Sequence, residues 1–192
     1  MGKGKKARTL YRGETISLPP KTNWKAKPGC KIFVADRGAV RFEFPREWWV
    51  KGDPDSIKFR DRKPPDDDCV LAVSYLRLPP ADWQALPLSD LVAHATEKSG
   101  ERRSVHDWGE IVACRRIDLE IAWRQGFYTD AKENREAVTR LCLARRNCVQ
   151  ALITMDVWKT ELERFVPVWD HVLDSLELDE MFTDPWVGPR VH

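Results

Sequence analysis

Four histidines and five cysteines are the side chains of this 192-residue chain best suited to catalysis or metal binding, and no motif gathers them. His94, His106, His171 and His192 fit neither HExxH nor HxH spacing. His106 precedes Asp107 in "VHDW", but neighbours on a chain do not normally converge on one atom. His94 and His171 stand beside apolar positions of helical stretches and read as helix-surface residues. Cys30, Cys69, Cys114, Cys142 and Cys148 contain no CxxC pair, so free and mostly buried thiols in a reducing compartment are expected. "DPD" (53–55) and "PDDDC" (65–69) lack the spacing of a calcium loop and read as solvated turns. There is no GxSxG, GxGxxG or phosphate-binding loop. The expectation is a non-enzymatic protein with no catalytic residue, metal or cofactor. A small-ligand cleft is the enzyme-class alternative.

Tryptophan and arginine are the residues in excess. Nine tryptophans stand against three tyrosines, and arginine comes in adjacent pairs at 102–103, 115–116 and 145–146. Both side chains join a large contact area to a hydrogen-bonding tip, which is why they dominate interface hot spots. Trp123, Trp158 and Trp169 lie on apolar faces and are expected in the core. Trp24 and Trp186 sit in proline-broken, irregular stretches that do not easily join one. With Trp49, Met181 and Phe182 they are the expected partner-binding residues.

Charge is distributed unevenly. The whole chain carries +2, but residues 1–31 hold nine Lys or Arg and one acid. Lys3, Lys5, Lys6, Arg8, Arg12, Lys21, Lys25 and Lys27 make an arm that fits an anionic surface or nucleic acid, with Trp24 stacking on a base. That is the alternative to a protein partner or a multi-subunit complex. No apolar run approaches the roughly 18 residues of a membrane span, and the basic N-terminus lacks the apolar stretch of a secretory signal. A cytoplasmic location is expected.

The elements that must position these residues follow from periodicity. "KIFVAD", the turn "DRG" and "AVRFEF" read as a hairpin with Val40, Phe42 and Phe44 on one face. In "PREWW", Trp48 and Trp49 point oppositely if the chain stays extended, one into the core and one partly out. "SIKFRD" buries Ile57 and Phe59. "CVLAVSYLRL" is nearly continuous in apolar residues and reads as a central strand covered on both faces. "PLSDLVAHATEKSG" has helical spacing, with Ser89 able to cap its start and Gly100 its end. Along "EIVACRRIDLEIAWRQGFY", the odd positions Ile111, Ala113, Ile117, Leu119, Ile121 and Trp123 share a face. A hairpin closes at Asn147. The last helix carries Leu162, Phe165, Trp169, Val172 and Leu173 on one stripe; Thr160 and Glu163 offer a capping box, but Pro167 reads as the true start rather than as a kink. The predicted class is α+β: an α/β/α sandwich with a central, mainly antiparallel sheet and helices packed on it. Its domain spans residues 31–178, between a basic arm (1–30) and an irregular tail (179–192).

"FEFPREWW", "IKFRD", "VLAVSYL", "PLSDLVAHA" and "FVPVWDHVLDSLEL", in that order, resemble the PsbP-like family over about residues 31–178. Its members include the extrinsic subunit of photosystem II, a Ran-binding nucleotide-release factor and DcrB-like proteins. The resemblance implies an α/β/α docking scaffold with no catalytic signature, used as an accessory subunit or, as in secretion chaperones, for client binding. It implies no particular partner. The basic arm and the tryptophan-bearing tail lie outside it.

Overall fold

The computed structural model describes residues 13–19, 22–103 and 105–188. β1 (Cys30–Ala35) and β2 (Val40–Pro45) form the first hairpin. Next come β3 (Trp49–Gly52), β4 (Ile57–Arg60), β5 (Cys69–Arg77) and α1 (Leu88–Arg103). β6 (Asp107–Trp108), β7 (Val112–Arg116), β8 (Leu119–Asp130), β9 (Arg135–Arg146) and β10 (Val149–Trp158) precede α2 (Leu162–Asp174) and the short β11 (Glu177–Leu178). The large sheet has the order β3-β4-β5-β10-β9-β8-β6, with β7 also paired to β8, and a small sheet has the order β1-β2-β11. Every pairing is antiparallel. The fold is therefore the expected α+β sandwich.

One face of the large sheet holds the main core. β10 alternates without a break, turning Val149, Ala151, Ile153, Met155 and Val157 inward, as a strand half covered by a second layer must. The second layer is α2 and the small sheet. Phe42, Phe44 and Phe33 of the hairpin each meet Phe59 of β4, with ring centroids 4.9–5.3 Å apart. α2 brings Phe165, Trp169, Val172 and Leu173 to the same core. On the opposite face α1 packs over β8 and β9 through Leu88 and Val92, against Ala122, Leu141 and Leu143. β9, covered on both faces, is the buried central strand. β5 is not: its inward residues are buried, but Val70, Ala72 and Ser74 stay half exposed because α1 does not reach them.

Four local expectations are corrected. Ile117 is 99% exposed, at the tip of a tight β7–β8 turn with φ +49°, rather than in line with Leu119 and Ile121. Arg116 pairs with Leu119 and Ala113 with Ala122, so the turn swaps parity and odd residues before it face opposite to odd residues after it. Pro167 lies inside α2, which starts at Leu162. It is exposed, on the side of α2 away from the buried Phe165, Trp169 and Val172. No capping box forms, because a 3-10 turn at Lys159–Glu161 leads into the helix and the Thr160 hydroxyl accepts a bond from Arg135 instead. α1 runs on past Gly100 to Arg103.

The tryptophans divide by context. Trp48 is buried against Phe165 of α2, while Trp49, the first residue of edge strand β3, is half buried, as the extended reading required. Trp169 is fully buried and meets Trp123 edge to face at 5.7 Å. Trp123 and Trp158 are only half buried, and the Arg135 guanidinium covers the Trp158 ring at 4.7 Å.

Candidate functional site

The arm and the tail were expected to stand away from the body; the structure packs residues 22–24 of the arm against residues 182–188 of the tail. After β11 the tail crosses the β1–β2 turn. The amides of Asp179, Glu180 and Phe182 donate to the carbonyls of Ala39, Gly38 and Arg37 at 3.0–3.2 Å. Gly38 permits this with φ +106°, and a Cβ there would stand 1.9 Å from the Glu180 carbonyl oxygen, so only glycine fits. Arg146 holds the same stretch, donating to the Leu178 carbonyl at 3.0 Å and pairing with Glu180 at 3.4 Å.

Trp24 then packs into the returning tail, which corrects its expected exposure. It is 8% exposed, as is Phe182, and the rings meet edge to face at 5.0 Å. The Trp24 indole N–H donates to the Pro185 carbonyl at 2.8 Å, and the Arg41 guanidinium lies 5.1 Å from the ring centre. An irregular segment can bury a tryptophan once a second irregular segment supplies its other wall and an acceptor. The loop above it is held tightly. Asn23 donates its amide to Val187 at 2.8 Å, the Asp184 carboxylate accepts the Trp186 amide at 2.8 Å, and the Gly188 amide reaches Asp184 at 3.0 Å. Trp186, Val187 and Met181 nevertheless keep 49%, 49% and 55% of their surface in water. Of the five expected partner-binding residues, Trp24 and Phe182 therefore form the floor, Met181 and Trp186 the exposed face, and Trp49 lies elsewhere on β3.

Of the expected basic arm, Lys3, Lys5, Lys6, Arg8, Arg12 and Lys21 lie outside the described residues. Lys25 and Lys27 are exposed. Of the paired arginines, Arg116, Arg145 and Arg146 are engaged within the chain, and the side chains of Arg102 and Arg103 lie outside the described residues. Arg116 donates to the carbonyls of Leu173, Asp174 and Leu176, satisfying the open end of α2 with a positive charge. Arg145 bonds Glu120 at 2.6 Å and the Leu86 carbonyl at 2.9 Å, and Arg146 bonds Asp118 at 2.8 Å. Arg115 remains exposed.

The uncovered half of the α1 face is a shallow concavity of about 390 Å³ on β4, β5 and β10. Ala72, Ser74 and Thr154 form its floor and Lys58 and Arg60 one wall, where they pair with Asp53 and Asp67. No histidine or cysteine lines it.

Sequence reasoning missed one grouping. His171 is not a bare helix-surface residue: its Nε2 lies 3.0 Å from Oε2 of Glu43, with Cys30 beside both. A separation of 128 residues between His171 and Glu43 left no spacing to find. Burial first, then the Glu43 charge, pushes the Cys30 thiol above its usual range. Burial also raises the Cys69 and Cys142 thiols. The native protein is expected to react with a thiol reagent at the exposed Cys114 and Cys148 and to protect Cys69 and Cys142 until unfolded. Peptide mass spectrometry reads this, and native labelling of Cys142 as fast as that of Cys114 would contradict the packing.

An eight-stranded antiparallel sheet with one helix on each face and a hairpin layer beside the second helix defines a PsbP-like fold. The chain belongs to the Alr1449 family, whose model matches residues 31–182. Protein alr1449 of Nostoc sp. strain PCC 7120 is 41% identical, covering 98% of this chain and 97% of its own. Among solved structures, the cyanobacterial PsbP (CyanoP) of Synechocystis sp. PCC 6803 is similar with a TM-score of 0.57 and 12% identity, over 80% of this chain and 94% of that one. Saccharomyces cerevisiae Ran-binding protein Mog1p is similar with a TM-score of 0.53 and 9% identity, over 78% and 95%. At those identities the likeness is one of fold.

Proposed function

We propose that this protein is a non-enzymatic adaptor or accessory subunit that docks a protein partner through Trp186, Val187 and Met181. The observation that carries this is the contrast between a pinned backbone and bare side chains. The loop 184–188 is bonded to the arm and underlaid by Trp24, yet its apolar groups face water. A large apolar side chain gains roughly 2–3 kcal/mol when covered. An anchor already held in place loses little freedom on binding, which is the economy of a preorganised hot spot. The fold supports the reading, since Mog1p, built on the same frame, is a Ran-binding protein. Five cysteines without a disulfide support a reducing, cytoplasmic setting. Among the described residues, no helix is long and apolar enough to cross a membrane.

Size-exclusion chromatography of native extract tests the reading. The wild-type protein is expected to elute at high mass, and Trp186→Ala, which removes surface outside the core, at the mass of the free chain. Identical elution of the two at either position would sink the proposal.

A further inference from the structure

Three side chains able to hold a divalent cation meet where the arm enters the body. Cys30 opens β1, Glu43 lies in β2 and His171 in the last turn of α2, and their ligating atoms are all within 4.8 Å of one another. The hairpin register accounts for the first two. Cys30 is opposite Pro45 and Ile32 opposite Glu43, so Cys30 and Glu43 share a face as diagonal neighbours. Ser175 brings the third. Its hydroxyl accepts the Glu43 amide at 2.9 Å and donates to the His171 carbonyl at 2.7 Å, setting the end of α2 against β2.

We propose that Cys30, Glu43 and His171 form a site for a borderline-soft divalent cation of the zinc class, with three protein ligands and a fourth position open to water. The donor set decides the class. Magnesium and calcium take oxygen ligands, whereas one sulfur, one imidazole nitrogen and one carboxylate suit zinc, with bonds of about 2.0–2.3 Å. The surroundings are those of a built site. Glu43 is 9% exposed, and its Oε2 also accepts the Lys27 backbone amide at 2.9 Å, an outer bond that orients the carboxylate. Cys30 and His171 are half buried, which leaves an entry path. On binding, the Cys30 S–H bond breaks and its proton passes to solvent. The sulfur and the neutral imidazole Nε2 each donate a lone pair, with no change of oxidation state. The ion would tie the start of β1 to β2 and α2, fastening the arm beside the sheet that carries the tail.

The competing arrangement is a His171–Glu43 ion pair that has no use for the thiol. Titrating the reduced full-length protein with Zn²⁺ by calorimetry, and with Co²⁺ by thiolate-to-metal absorption, separates the two. One equivalent is expected to bind, with the absorption present. Affinity is expected to fall at least about tenfold in Cys30→Ser and in His171→Gln. The double variant Cys114→Ser, Cys148→Ser is expected to bind like the wild type. Circular dichroism checks that each variant is folded. Absence of stoichiometric binding, or binding unchanged in Cys30→Ser, overturns the site. So does binding lost with Cys114 and Cys148. Should Cys30→Ser not fold, alkylation of the wild type with and without Zn²⁺ decides: protection of Cys30 by the ion supports the site, and equal labelling overturns it.

Discussion

Trp169→Ala is expected to lower the unfolding free energy by about 4 kcal/mol, the largest single-residue effect in the molecule. Trp169 has no exposed surface, and its ring closes the core between α2 and the sheet. It stacks edge to face on Trp123 at 5.7 Å and lies 5.7 Å from the guanidinium of Arg140. Arg140 is itself 6% exposed, bonded to Gln125 at 2.8 Å and set over Trp123 at 5.1 Å. Removing the indole opens a cavity and takes one aromatic wall from a buried cation whose charged form burial already disfavours. Trp169→Phe separates the causes. The Trp169 Nε1 has no acceptor among the described residues, so phenylalanine loses volume and no hydrogen bond, and less than half of the alanine effect is expected. Urea denaturation of the two variants checks this. Equal losses would mean that the indole nitrogen carries the effect.

The second large effect is at Trp24. Trp24→Ala is expected to destabilise by about 3 kcal/mol and to free residues 179–188 for proteolysis. The substitution removes the wall behind Phe182 and the donor to the Pro185 carbonyl, and it vacates the ring against which Gly188 is packed. Partner association should fall with it, although Trp24 itself faces inward, because the loop bearing Trp186 loses its floor. Limited proteolysis with mass spectrometry, beside a urea midpoint, reads both parts. Unchanged stability would show Trp24 to be the free-standing anchor that its irregular sequence context suggested, and the floor would not exist.

Those two residues show how far sequence patterning reached. Trp169 was legible because it belongs to a helical stripe, in which each position is constrained by neighbours three and four residues away. β2 and β4 were legible through period-two alternation, and Asn147 as a tight turn, where the structure gives it the φ of +49° that asparagine tolerates. The same rule misplaced Ile117, since a two-residue turn exchanges the faces on either side of it. β5 misled for another reason. Its composition suits two covered faces, but the extent of α1 decides which strands are covered, and α1 lies over β8 and β9.

What the sequence determined by itself was the class of architecture, α+β with antiparallel hairpins, and the inventory of large side chains. Such features depend on residues a few positions apart, whose geometry is set by backbone periodicity. Only the tertiary structure decided what those side chains touch. Trp24 finds its acceptor 161 residues away, Arg116 caps a helix 58 residues on, and His171 meets Glu43 across 128. Contacts at such separations come from the way the two sheets and the terminal segments pack, so no local pattern records them.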